Sequence, residues 1–283
     1  MALCGAAWTS QDVDAAAPAQ GQAAAMAVAL PATLEQPGTG DLARARVTLA
    51  DGASTAVYAA VFATAATELR VAVLRRPERL ARWCATSGFD NAIVGGFFVR
   101  PGGMPLGELR TRGVTRRHVA FAAPWAAVRS CVHVEGGEVR LARRDELPAH
   151  PRGDLLQAGP LLVRDGEPCF ERALDPEGFS AGQVQFDSDI TDGRHPRAAL
   201  GIAPGRLFAV VCDGRSAEDA GLTLEELATL MSALGCHAAI NLDGGGSTSL
   251  VSGGRLRNQP RAGMDRPEPG GRAVSTALVF VPR

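Results

Sequence analysis

A chain of 283 residues with 29 basic and 30 acidic side chains can bury a sizeable core, and its formal net charge of −1 excludes a nucleic-acid binder held by bulk electrostatics. Every basic residue is arginine, so Schiff-base chemistry and a phosphate-loop lysine are excluded, and any cationic help to an anion falls to the planar guanidinium fork. The six cysteines, Cys4, Cys84, Cys131, Cys169, Cys212 and Cys236, form no Cys-x-x-Cys pair and read as free, mostly buried thiols in a reducing compartment rather than as a metal cluster.

Residues 1–40, rich in Ala, Gln, Pro and Gly, read as a low-complexity N-terminal arm, and 41–283 as a single domain. No basic residue precedes Arg44, and Gln11, Asp12 and Asp14 interrupt any apolar run. The stretch 23–30 is too short to cross a bilayer, so the expectation is a cytoplasmic protein with no membrane span. The opening segment reads either as a partly ordered arm or as a strand near 26–30 pairing into the first sheet, and the sequence leaves both open.

From Ala43 the chain alternates: Ala45, Val47 and Leu49 share one face, Arg44, Arg46 and Thr48 the other. Asp51-Gly52 predicts a hairpin turn back into a strand over 55–62. A third strand follows over 69–74, then a short helix over 77–85 ending near Gly88. Asn91-Ala92-Ile93-Val94-Gly95-Gly96-Phe97-Phe98 is an apolar strand running into a glycine pair and two aromatics, with Gly95 and Gly96 as candidates for lining a site. Alternation returns around Glu135-Gly136-Gly137, and 154–166 reads as a strand broken at Gly159-Pro160 and closed by an Asp165-Gly166 turn. On that strand Gln157 reads equally as structural or as ligand-facing.

Asp187-Ser188-Asp189-Ile190-Thr191-Asp192-Gly193 fails the calcium-loop template, because the third carboxylate and the glycine fall one place late and no Glu closes the loop; a solvated turn is the expectation. Arg194-His195-Pro196-Arg197 then precede a buried strand, which makes Arg197 the first choice for an anion clamp and His195 either a cap or a catalytic group. The apolar strand 207–212 ends in Asp213-Gly214-Arg215. Thr223 and Glu226 form a capping box, and Leu224, Leu227, Ala228, Met231 and Leu234 give a helical stripe stopped by Gly235. This strand-helix-strand unit predicts parallel neighbours joined by a right-handed crossover, with Asp213 and Asp243 at one edge of the sheet. Residues 263–271 read as a loop, and 273–281 as a closing buried strand. The fold class expected is α+β (mixed α/β), with mixed sheets.

The most informative stretch is Asn241-Leu242-Asp243-Gly244-Gly245-Gly246-Ser247-Thr248-Ser249. Three consecutive glycines suit a backbone that approaches a ligand closely, and their N–H groups with the Ser247, Thr248 and Ser249 hydroxyls would cradle an anion beside the Asp243 carboxylate. A hairpin that merely turns a corner is the alternative.

Residues 241–247 resemble the signature of the phosphodiester glycosidase family. Further likenesses follow in the family's order across 42–281: Gly95-Gly96-Phe97-Phe98, with Val94 where the family carries Asn; Gln157-Ala158-Gly159-Pro160; the strand from Arg197, with Ala198 where the family carries Thr; Asp213-Gly214-Arg215; and the closing strand. The resemblance implies hydrolysis of a sugar 1-phosphodiester of the N-acetylglucosamine-1-phosphodiester kind, on a small-molecule or glycan substrate. It calls for no cofactor and leaves room for a divalent cation such as calcium. Cleavage at C1 expels a phosphate monoester, a far better leaving group than an alcohol, so the chemistry needs anion donors and one carboxylate more than a general acid. Asp243 is then expected as base or nucleophile, Asp213 as orienter or acceptor of a substrate hydroxyl, and Arg197 as clamp. Gly95, Gly96, Gln157, Arg215, Asn241, Gly244, Gly245, Gly246, Ser247 and Thr248 would hold substrate. The rival readings are a metal-dependent phosphodiesterase, against which the absence of clustered histidines counts, and a non-catalytic saccharide- or nucleotide-binding module.

Overall fold

The structure is a computed structural model that describes residues 41–180 and 190–283. The first alternating stretch forms the strand Asp41–Thr48, which turns through Gly52 at φ 84° and pairs antiparallel with Ser54–Ala63. That second strand is buried on both faces. Ala56, Tyr58, Ala60 and Phe62 enter one apolar core, and Val57, Ala59 and Val61 enter another, as a period of two requires.

The strand lies inside a seven-stranded sheet whose order is Asp41–Thr48, Ser54–Ala63, Arg206–Cys212, Arg197–Ala203, Ala238–Asn241, Leu161–Arg164, Glu167–Pro168. The helix Leu224–Ala233 covers one face, setting Leu224, Leu227, Ala228, Leu230 and Met231 against Val57, Ala59, Phe208 and Val210. Its capping box is present: the Glu226 N–H donates to Thr223 Oγ1 at 3.1 Å, and the Thr223 N–H donates to Glu226 Oε2 at 2.9 Å. The other face packs on two five-stranded sheets, one carried by Thr67–Arg79 and Ala273–Pro282, the other by the hairpin Ser130–Glu135 and Glu138–Arg143.

Several expectations are corrected. The molecule is mostly β, and every ladder between named strands is antiparallel, so the α+β description holds only loosely. Arg206–Cys212 and Ala238–Asn241 are not parallel neighbours, because Arg197–Ala203 lies between them, antiparallel to both. The reason is local: Arg197–Ala203 and Arg206–Cys212 close a tight hairpin through Gly205 at φ 70°, so the helix crosses over one strand rather than to the next. The helix expected from 77 starts at Leu80, since Thr67–Arg79 stays paired with the closing strand as far as Arg79↔Ala273. Residues 261–267, partly read as loop, form the small hairpin Arg261–Gly263 with Arg266–Pro267.

The Gly159-Pro160 bend moves the chain from one sheet to another, with Asp154–Gln157 in a five-stranded sheet and Leu161–Arg164 in the seven-stranded one. The five described cysteines are free, four of them buried and Cys169 exposed. Among the described residues no helix is long and apolar enough to cross a membrane. The strand alternative at 26–30 and the Asp187-Ser188-Asp189 part of the acidic turn lie outside the described residues.

Candidate functional site

The register of the central strands sets the site. Arg197 opens its strand opposite Cys212, which closes the next, and Ala199 faces Asn241, the last residue of Ala238–Asn241. Arg197, Asp213 and Asp243 therefore gather on one sheet edge, although the strands are connected otherwise than expected. Beyond Asn241 the chain leaves the seven-stranded sheet, passes through the glycine loop and enters a five-stranded sheet as Leu250–Ser252. The loop is a corner between sheets. Gly95 meets it there: its carbonyl accepts the Asp243 N–H at 3.0 Å, and its N–H donates to Thr276 O at 3.0 Å. The Gly96 N–H donates to Thr276 Oγ1 at 3.0 Å, and a β-carbon on Gly95 would stand 2.5 Å from that oxygen, so no larger residue fits without a shift.

The loop is built differently from a plain amide cradle. Residues Gly245–Ser247 form one 3₁₀ turn; the Gly244 N–H donates to Asp243 Oδ1 at 2.9 Å and the Gly245 N–H to Pro196 O at 2.8 Å. These two amides are spent inside the protein. What remains without a hydrogen-bond partner is a buried set of side-chain atoms: Asn241 Oδ1, Ser247 Oγ, Thr248 Oγ1 and Ser249 Oγ. Orphaned buried polar atoms cost roughly 1–3 kcal/mol each, so four on one loop call for a ligand or solvent to satisfy them. The Asn241 amide is half engaged, its Nδ2 donating to Gly159 O at 2.9 Å.

Asp243 is partly exposed, and burial pushes its pKa up to about 6 against the favourable influence of Ser247, the Gly244 N–H, Arg272 and Arg100. The Ser247 hydroxyl is near enough to favour the ionised form without closing a hydrogen bond of ordinary geometry. Arg215 comes from a left-handed position at φ 62° and reaches across the loop, so that a β-carbon on Gly245 would lie 3.1 Å from its Nη1. Its Nη1 donates to Ala262 O at 3.0 Å and its Nη2 faces His195 Nδ1 at 3.3 Å. Since arginine only donates, His195 must offer a lone pair there. Burial, with Arg197 and Arg215 beside it, pulls the His195 pKa down to about 4 and keeps the ring neutral for that task.

Other predicted residues turn out to serve the scaffold. Arg197 is 3% exposed, and its guanidinium donates to Leu222 O, Ile190 O and Gly193 O at 2.9, 2.8 and 3.1 Å. It pins the 190–193 turn to the sheet edge, and its fork is spent on carbonyls. Gln157 accepts the Glu108 N–H at 3.0 Å and donates to Ala126 O and Arg129 O, which commits its amide to the backbone. Asp213, 2% exposed, accepts the Gln259 N–H at 2.7 Å and lies against the Tyr58 hydroxyl, with burial raising its pKa. It orients the chain that leads to the 261–267 hairpin. Sequence reasoning missed Arg272 and Arg100; the first follows Gly270-Gly271 in a segment taken for a connector, and its N–H donates to Gly246 O at 2.9 Å.

With this geometry in hand, likeness to known proteins decides the family. Residues 87–281 match the phosphodiester glycosidase family profile. The chain belongs to the phosphodiester glycosidase family. Among curated proteins it is 28% identical over 155 residues to the SPbeta prophage-derived uncharacterized protein YomE of Bacillus subtilis (strain 168), a match covering 51% of this chain and 22% of that protein. The chain therefore spans under a quarter of that relative's length. Among solved structures, the zebrafish N-acetylglucosamine-1-phosphodiester alpha-N-acetylglucosaminidase catalytic domain, auto-inhibited by its pro-peptide, superposes with a TM-score of 0.63 at 20% identity, covering 86% of this chain and 83% of that one. A hypothetical protein from Synechocystis superposes with a TM-score of 0.58 at 19% identity, over 85% of this chain and 61% of that one. At these identities the structural likeness is one of fold, and what this family member does must be read from its own site.

Proposed function

We propose that this phosphodiester glycosidase hydrolyses the C1–O bond of a sugar 1-phosphodiester, releasing the free sugar and a phosphate monoester. The observation that carries the reading is the set of unpartnered buried oxygens on Asn241, Ser247, Thr248 and Ser249 beside a carboxylate whose pKa is raised to about 6. Asp243 activates water or traps the oxocarbenium-like carbon; the raised pKa places it near the operating pH, where a general base is most effective. The hydroxyls donate to phosphate oxygens, and Arg215 and Arg272 neutralise the charge that builds on the leaving group. Asp213 acts through the chain it holds and not by touching substrate. An N-acetylglucosamine 1-phosphodiester is the substrate class the resemblance favours.

The test is hydrolysis of an N-acetylglucosamine 1-phosphodiester and a matched phosphomonoester in heavy-oxygen water, with and without a chelator, read by mass spectrometry. Label in the sugar supports C–O cleavage, and persistence under chelator removes a required metal. Label in phosphate moves the protein to the phosphodiesterases, and saturable binding without product makes it a binding module. Arg215→Lys is expected to lower kcat for the diester about tenfold with a much smaller change in KM, because a lone ammonium replaces a fork that spans Ala262 O and His195 at once and is less well placed to meet the charge building on the leaving group. Equal steady-state constants in the two proteins would remove Arg215 from the site.

A further inference from the structure

A groove of about 740 Å³ runs beside the closing strand, and none of residues 241–249 lines it. Its walls carry six arginines: Arg70, Arg75 and Arg76 from Thr67–Arg79, and Arg112, Arg116 and Arg117 from the turn and chain after Leu109–Thr111. The acid in its lining is Asp154, whose oxygens already accept the Val71 and Arg112 N–H groups at 2.9 and 2.6 Å. Arg70 is paired with Glu68 at 2.6 Å, and Arg116 is bonded to Thr111. The exposed side chains of Arg75, Arg76 and Arg117 have no hydrogen-bond or ion-pair partner among the described residues.

In a chain of net charge −1 such a gathering is not a bulk effect. Like charges around one concavity repel one another, and the focused potential draws in a counter-anion. Guanidinium forks match phosphate oxygens two at a time, and several forks around one groove suit an anion with several phosphates. The aromatic ring in the lining is Phe89, which is stacked on Trp83 with centroids 5.2 Å apart, so the groove lacks the free stacking platform that single-stranded nucleic acid uses. The groove is also separate from the loop: Ser275 lines it and bonds Gly103 O, while the next residue, Thr276, holds Gly95 and Gly96.

We propose that this groove is a second binding site, distinct from the glycine loop, for a multivalent phosphate-bearing anion, a chain of phosphates or phosphodiesters held outside the reacting centre. The choice of phosphate over carboxylate rests on the phosphodiester reading of the loop; the site itself does not. Sodium tripolyphosphate is the probe, titrated calorimetrically into the full chain, into Arg75→Gln/Arg76→Gln/Arg117→Gln, and into Asp243→Asn, with polyglutamate and oligo-thymidylate as comparators.

The expected result is saturable binding that weakens with salt and is at least about tenfold weaker in the triple variant, which loses three phosphate contacts, yet is unchanged in Asp243→Asn. Turnover of a short diester should be unaffected in the triple variant. Equal affinity in the triple variant, or no saturable binding, would overturn the site. Tighter binding of polyglutamate or oligo-thymidylate would overturn the phosphate assignment. Because binding is read without catalysis, a failure of the glycosidase reading shows only in the labelled-water experiment.

Discussion

Asp243→Asn is expected to cut kcat by about a thousandfold, within the range a general base or nucleophile supplies, while making the protein more stable at pH 8. Both effects come from one carboxylate. Burial lifts its pKa from 3.8 to about 6, so the folded state holds the proton more tightly than the unfolded chain does. The stability tied to that proton is present below pH 3.8 and is lost as pH rises through 6, leaving a poorly solvated charge in the folded protein at pH 8. The substitution removes that charge and leaves an amide oxygen able to accept the Gly244 N–H.

A gain of roughly 2 kcal/mol at pH 8, shrinking to well under about 1 kcal/mol at pH 4, follows from the shift discounted for partial exposure. Thermal melts at the two pH values check it, and the wild-type kcat/KM should climb through pH 6 as the base ionises. A fully active variant would end the catalytic assignment, and an equal change in melting temperature at both pH values would show that the carboxylate is well solvated.

Glu177→Ala is expected to destabilise the fold by about 3–5 kcal/mol, the cost of stranding several buried donors together. Glu177 is 3% exposed; its Oε1 accepts the Ser130 hydroxyl at 2.9 Å and the Leu161 N–H at 2.7 Å, and its Oε2 accepts the Ser130 N–H at 2.7 Å. The carboxylate thus ties Ser130–Glu135 in one sheet to Leu161–Arg164 in another, on either side of the Gly159-Pro160 bend. That bend holds the site strand: Asn241 donates from Nδ2 to Gly159 O and from its N–H to Pro160 O, and its carbonyl accepts the Gly159 N–H.

Loss of the brace should therefore lower kcat well below the melting temperature as well as shift the denaturant midpoint. Glu177→Gln keeps the acceptor for Leu161 but turns a donor toward the Ser130 N–H, and should fall between. A Glu177→Ala variant within 1 kcal/mol of wild type by denaturant unfolding would show that water replaces the carboxylate.

The sequence was most legible where chemistry is local. A capping box specifies itself within four residues, and Thr223 with Glu226 is where the pattern placed it. Asp51-Gly52 turns a hairpin because glycine reaches φ 84° without strain, and the Asn241 to Ser249 stretch declared itself by three glycines and three hydroxyls in a row. Alternation along 43–49 likewise separated the faces of the first strand, with Val47 and Leu49 buried and Arg44, Arg46 and Thr48 exposed.

What pairs with what lay outside that reach. The strand from Arg197 sits between two strands thought adjacent, because hairpin closure through Gly205 competes with a longer crossover, and periodicity carries no record of the contest. The fate of Arg197, Gln157 and Asp213 depended on carbonyls and N–H groups remote in sequence, at Leu222, Ala126 and Gln259, so a polar side chain that looked free to meet a ligand was already engaged. Arg272 and Arg100 became neighbours of Asp243 only through the meeting of sheets. By itself the sequence determined which loop is the candidate for the chemistry, since glycine content and hydroxyl spacing are properties of a few consecutive residues; the tertiary structure decided which charges face that loop, since that follows from long-range pairing and from the burial that pairing creates.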